Sequence, residues 1–176
     1  MIDRIQYWNV TPRERVADHP ADDQRPGGTH LVRAIDVDAD PAVVFRWLCQ
    51  VTVAPYSFDL VDNLGRRSPS TLTPGADDLR LGQKFGIGPI VDFETGRHIT
   101  AVTAGAARRM FGDLAMSYQV VPGLETRSRI LACISVPAAR GVPGHAWQAL
   151  LGAGDLVMIR HQLHRLRRYA EASDRG

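Results

Sequence analysis

The sequence predicts an α+β domain in which a curved antiparallel sheet wraps around one long C-terminal helix. Three observations predict it. From Thr29 the run THLVRAIDVDA alternates apolar and polar side chains; four later runs between Leu79 and Val136 carry strand-type residues; and the segment Gly144 to Ala172 carries apolar residues at helical spacing. At 176 residues and 44% hydrophobic composition the chain is long enough for one domain with a sizeable core.

Residues 1–28 read as an N-terminal arm, polar and rich in Pro, Asp and Arg, and ending in RPGG. Ile5, Tyr7 and Trp8 form an apolar cluster in it, which suggests that the arm docks on the domain. The domain proper spans 29–172, and 173–176 form a short tail. In the first strand Leu31, Arg33, Ile35 and Val37 share one face, and His30, Val32, Ala34 and Asp36 the other, so only one of His30 and Arg33 is interior.

Asp40 then caps a helix that begins with Pro41, where a missing N–H costs nothing. Val44, Trp47, Leu48 and Val51 make its core stripe. A second short helix is expected over Ser57 to Leu64, stopped by Gly65, so two short helices separate the first strand from the second. After SPSTLTPG the runs LRLGQKFG, IVDFETGRHITAVTA, ARRMFGDLAMSYQVV and TRSRILACISV read as strands, with turns at Gly96, Gly112 and Pro122–Gly123. The final helix is expected to be interrupted at Gly152–Gly154 and capped anew by Asp155; Leu156, Ile159, Leu163, Leu166 and Ala170 form its stripe. Such a sheet cannot close its concave face alone. The long helix must lie across it, which leaves room for an interior cavity suited to an apolar guest.

Several classes are disfavoured. The net charge is +2, and of the 21 basic residues all but Lys84 are arginines scattered along the chain, with no stripe for nucleic acid. The C-terminal arginines, Arg160, Arg165, Arg167, Arg168 and Arg175, read as a solvated helix face. No apolar run is long enough to span a membrane, and Cys49 and Cys133 read as buried free thiols, so a cytoplasmic protein is expected. There is no nucleotide-binding glycine motif and no nucleophile elbow; GIGPI is a glycine-rich turn. His161 and His164 lack a third ligand, so no metal and no cofactor are expected.

The run RAIDVDADPAVVFRWLCQ resembles the start of START-like helix-grip proteins, the SRPBCC superfamily that includes Bet v 1-type allergens and the polyketide cyclase/dehydrase group. With YSFDLVDNLGRRSP, DLRLGQKF, FGDLAMSYQV and GDLVMIRHQLHRLRRYAE it resembles a bacterial branch of that group whose members mostly lack an assigned reaction, over about residues 29–172. One departure is Ser128 and Arg129 in TRSRIL, where many members place a hydrophobic residue after the Thr-Arg pair.

The resemblance implies a small hydrophobic molecule, lipid or polyketide-like, as partner. The alternation places Leu114, Met116, Tyr118 and Val120 together, and Ile130, Ala132 and Ile134 likewise, as inward sets. Expected ligand-binding residues are Trp47, Tyr56, Asp59, Met116, Tyr118, Ile130, Ile134, Ile159 and Leu163. Three readings of function stand side by side. The first is a carrier or sensor. The second is a cofactor-independent cyclase, dehydratase or isomerase in which Tyr56 and Asp59, three apart on a helix, supply acid and base. The third is an interaction module using the arm or the arginine-rich tail, with a homodimer left open. In a structural reading, Asp59, Asp62, Asn63, Arg66 and Arg67 simply clasp one another at the bend after Tyr56.

Overall fold

The computed structural model describes residues 6–57, 67–124, 126–137 and 141–176, with backbone alone over 141–151 and at 153. Residues 58–64 of the expected second helix and all of the expected acid–arginine clasp except Arg67 therefore lie outside the described residues.

The elements in chain order are β1 (Tyr7–Trp8), α1 (Pro12–Val16), α2 (Pro20–Gln24), β2 (Thr29–Val37), α3 (Pro41–Cys49), a 3-10 turn (Gln50–Thr52), β3 (Lys84–Phe85), β4 (Gly88–Glu94), β5 (His98–Val102), α4 (Gly105–Phe111), β6 (Ala115–Pro122), β7 (Ser128–Val136) and α5 (Gly141–Asp174). One seven-stranded sheet runs β1-β2-β7-β6-β5-β4-β3. Every pairing is antiparallel except that of β1 with β2.

Alternation along β2, β6 and β7 divides the sheet into two buried faces. The concave face carries Leu31, Ile35, Val37, Met116, Tyr118, Val120, Ile130, Ala132 and Ile134, and packs with α3 and with Ile159, Leu163, Leu166 and Ala170 of α5. Those are the inward sets that the alternation and the helical stripe predicted, except that Leu156 of the stripe is only half-buried and lies outside this core. The convex face buries Val32, Ala115 and Cys133 beneath Ala21 of α2, with Tyr7 and Val10 alongside. Two-sided burial explains why β7 is buried at every position.

The arm is built into the fold. Thr11 caps α1, its hydroxyl accepting from Glu14 N at 3.2 Å while the Glu14 carboxylate accepts from Thr11 N at 2.7 Å. Arg129, 1% exposed, projects from β7 onto the convex side and holds Glu14 at 2.7 Å and Asp36 at 2.7 Å, and it also donates to Asn9 O. The departure at Arg129 thus has a physical reason: it is the anchor of the arm. On the other side of β2, Trp8 takes the Arg160 guanidinium over its ring at 5.3 Å and lies 5.6 Å from the His164 ring.

Three expectations about local structure are corrected. ARRMFGDL does not begin a strand: Gly105–Phe111 is helical, because Ala, Arg and Met favour a helix and Gly112, at φ +89, ends it. LRLGQKFG forms only the two-residue strand Lys84–Phe85, since Gly82 turns the chain at φ +82. The final helix is continuous through Gly152–Gly154 and spans 34 residues, about 51 Å at 1.5 Å per residue. Asp155 is therefore a mid-helix residue and not a cap. Each glycine costs a helix about 1 kcal/mol, and docking on β2 overrides that cost: Arg33, on the concave face, donates to Gly152 O at 3.3 Å and pairs with Asp155 at 3.0 Å.

Candidate functional site

A cavity of about 800 Å3 opens at one end of the concave face. Its walls come from four places: the turn after α3 (Val51 to Pro55, and Ser57), the β3–β4 hairpin (Gly82, Lys84, Gly86 to Pro89), α4 (Ala104, Ala106, Ala107, Phe111) and α5 (Met158, Ile159, Gln162). Met116 and Tyr118 of β6 form the floor.

The hairpin shows why these residues fold as they do. Positions 82, 84, 86 and 88 line the cavity, while Phe85 turns into the core and meets the Tyr118 ring edge-on at 5.5 Å. Gly88 is obligatory, because a Cβ there would lie 1.9 Å from Val102 O. A Cβ on Gly86 would press on Met116 Sδ at 3.0 Å, from a backbone at φ +52. Glycine at 82, 86 and 88 leaves Lys84 as the one side chain on this row.

The floor is closed by a polar bridge. Tyr118 Oη donates to Gln162 Oε1, and Gln162 Nε2 donates to Pro55 O. One amide, 5% exposed, thereby ties β6, α5 and the turn after α3 together. Arg165 adds a bond to Ser57 O at 3.2 Å and sits 5.9 Å over the Tyr56 ring. Tyr56 is held at φ +55, a left-handed conformation unusual for a tyrosine, between these two clamps. Its ring is fully buried, edge-on to Trp47 and Tyr169 at 6.2 Å each, and Trp47 stacks on Tyr169 at 5.0 Å while donating to Ser173 Oγ at 3.1 Å.

Deeper along the concave face lies the Arg33–Asp155 pair. Burial pushes the Asp155 carboxyl up to about 6 although Arg33 opposes the rise. Burial, reinforced by the Asp155 charge, also holds the Tyr118 phenol well above its ordinary value, so it acts as a neutral donor. Arg33 further donates to Val32 O at 3.1 Å and to Gln6 O at 2.5 Å, which links the start of the arm to the core.

Of the residues expected to bind a ligand, Met116, Tyr118 and Ile159 line the cavity. Trp47, Tyr56, Ile130, Ile134 and Leu163 belong to the surrounding core and not to the lining. Asp59 lies outside the described residues. Tyr56, the expected acid partner, is thus packed beside the cavity wall instead of facing in. The turn Val51–Pro55, α4, Lys84 and the bridging role of Gln162 escaped the sequence reading, because they sit in turns or depend on partners far along the chain.

The remaining chemistry-bearing residues are engaged elsewhere. His30 pairs with Asp22 at 2.8 Å, His98 with Asp92 at 2.7 Å, and His161 is exposed on α5. Among the described residues no group of three His, Cys, Asp or Glu side chains is placed to hold a metal ion. Both thiols are buried, and burial drives Cys49 up to about 12 and Cys133 higher still, so neither is a nucleophile near neutral pH. Among the described residues no helix is long and apolar enough to cross a membrane. The arginines of α5 are less idle than a solvated face: Arg160, Arg165 and Arg168 lie over Trp8, Tyr56 and Tyr169.

No family model and no curated protein matches the chain. Among solved structures it is similar to the MLL2253 protein of Mesorhizobium loti, at 12% identity and a TM-score of 0.50, with 82% of this chain and 98% of that chain covered. It is also similar to the SA2116 protein of Staphylococcus aureus, at 10% identity, a TM-score of 0.47, and coverage of 85% and 99%. The Aha1 dimer of Colwellia psychrerythraea matches at 15% identity and a TM-score of 0.38, with coverage of 74% and 96%. At its identity the first of these likenesses shows a shared fold: a mostly antiparallel sheet with a C-terminal helix packed on it.

Proposed function

We propose that this chain is a START-like helix-grip protein that binds a small hydrophobic metabolite, lipid or polyketide-like, in the cavity between α5 and the sheet, as a carrier or sensor. The observation that carries this reading is the cavity itself: about 800 Å3, walled mainly by Val, Ile, Ala, Pro, Met and Phe, with the polar groups of its floor already bonded to one another. That is the ordinary make-up of a small-molecule site, an apolar container with few polar groups. Among the described residues the lining holds no carboxylate or imidazole to act as a general base, which favours binding over turnover.

The test is native mass spectrometry of the freshly purified protein before and after organic extraction, followed by titration with the neutral apolar fluorophore N-phenyl-1-naphthylamine. A co-purifying mass that extraction removes, and saturable fluorophore binding that a bulky residue at Ala107 blocks, is the expected result. Failure of the extracted protein to bind the fluorophore would overturn the reading.

A further inference from the structure

Lys84 is the one lysine of the chain, and its place is unusual in two respects. It lines the cavity from the glycine row of the β3–β4 hairpin, where its neighbours on that face carry no side chains. It is also the one charged side chain of the lining among the described residues.

The other polar lining groups are committed. Thr52 Oγ1 donates to Cys49 O at 2.8 Å, Tyr118 donates to Gln162, and Gln162 donates to Pro55 O. Ser57 is bonded as well. Among the described residues no carboxylate pairs with the Lys84 ammonium, although ion pairs are plentiful elsewhere. The acid that follows α4, Asp113, is already shared by Arg25 at 2.5 Å and Arg108 at 3.4 Å, and Asp77, in the segment that precedes β3, pairs with Arg46 at 3.5 Å. A lysine on an outermost strand also discourages edge-to-edge pairing, and on the two-residue β3, whose other member Phe85 is buried, Lys84 serves that role as well; contact with the head of a ligand at the rim is compatible with it.

An apolar container whose rim carries, among the described residues, one cation without a carboxylate partner is matched by an amphiphile whose apolar body fills the container and whose anionic head meets the ammonium. We infer that the cavity takes an apolar carboxylic acid, bound as its carboxylate, with the head at Lys84 and the hydrocarbon body against Phe111, Met116, Met158 and Ile159. This rests on the binding reading proposed above and adds the chemical class of the ligand. It also assigns the head to the rim: at the floor the Tyr118–Gln162–Pro55 bridge is closed and the Asp155 charge lies close behind Tyr118, so an anion is unfavourable there.

The experiment displaces N-phenyl-1-naphthylamine from the full chain with dodecanoate and with 1-dodecanol, which share a chain length and differ in charge. It uses the wild type, Lys84→Gln and Lys84→Arg, at low and high ionic strength. The wild type is expected to prefer dodecanoate. Lys84→Gln should weaken dodecanoate up to about fivefold at low salt while changing dodecanol less than twofold, the upper end of the range for one ion pair at an exposed residue. Lys84→Arg should keep the preference, and added salt should erode it in the wild type. If the fluorophore binds but dodecanoate and dodecanol compete equally, or if Lys84→Gln weakens both alike, the assignment of an anionic head falls and the apolar cavity stands. If the fluorophore does not bind at all, the cavity reading falls and takes this inference with it.

Discussion

Replacing Arg33 with methionine should produce a stability deficit that grows with pH, and the slope is fixed by Asp155. In the wild type the carboxyl is raised from 3.8 to about 6 by burial, with Arg33 opposing. Between those values the folded state holds a proton that the unfolded state has released, so this group's contribution to stability falls as pH rises through the window. The shift of about two units corresponds to about 3 kcal/mol by pH 7. Above pH 6 the wild-type loss levels off, because both states are then ionised. Without Arg33 the folded pKa moves higher still, so the variant keeps losing about 1.4 kcal/mol per pH unit above pH 6 until its own pKa is passed.

At pH 7 that adds about 1.4 kcal/mol to the loss of the guanidinium's bonds to Gly152 O, Val32 O and Gln6 O, each a charge-assisted bond worth about 1 kcal/mol or more. A total of about 4 kcal/mol is expected, or roughly 12 °C in Tm for a chain of 176 residues. Urea unfolding followed by tryptophan fluorescence from pH 5 to 8.5 measures it. Arg33→Met/Asp155→Asn should lose the extra slope, since an amide does not titrate. A gap between Arg33→Met and the wild type that stays constant from pH 6 to 8 would refute the reasoning.

Gln162→Leu should cost about 2 kcal/mol in urea unfolding, because it leaves the buried Tyr118 hydroxyl and Pro55 O without their shared partner; adding Tyr118→Phe should recover part of the loss, and strict additivity would mean that the bridge is not coupled. Glu14→Gln should loosen the arm, seen as faster proteolytic cleavage before Thr29. Burial raises the Glu14 pKa, but the bonds from Arg129 and Thr11 outweigh it and hold it below 4.5, so this stabilisation is present above pH 4.5 and is lost as pH falls through the folded value; cleavage equal to the wild type at pH 7 would count against the anchor. His19 is buried, with Nε2 3.1 Å from Glu14 O and Nδ1 2.9 Å from Gln119 Nε2, and burial lowers its pKa below 6.5. Its contribution is full above pH 6.5 and is lost as pH falls toward the folded value, so the protection of the arm amides, relative to the intrinsic exchange rate at each pH, should fall between pH 7 and 5 and should not in His19→Gln.

Periodicity made the sheet readable and left its polar interior unread. The alternation in THLVRAIDV put Arg33 and His30 on opposite faces, and the alternation in AMSYQV and RILACIS sorted Met116, Tyr118, Ile130 and Ile134 onto the concave one; the structure has the same sets. Period alone does not say which face accepts an arginine. That depends on a counter-charge, and the counter-charge is Asp155, on the helix that arrives last in the chain. The same residue looked like a cap because three residues of glycine and alanine precede it, a local signal that docking on β2 overrides. Gln162 and Lys84 were hidden for a related reason. A glutamine on a helix face becomes a bridge only when a tyrosine of the sheet and a bare carbonyl of a distant turn both face it, and a lysine on a short strand becomes a site only when glycines strip the rest of its row. Where Tyr56 sits follows the same logic. Its place beside acids in the sequence suggests a cavity residue, yet Trp47, Tyr169 and Arg165 enclose its ring, and the backbone carbonyl beside it, Pro55 O, is what reaches the cavity floor.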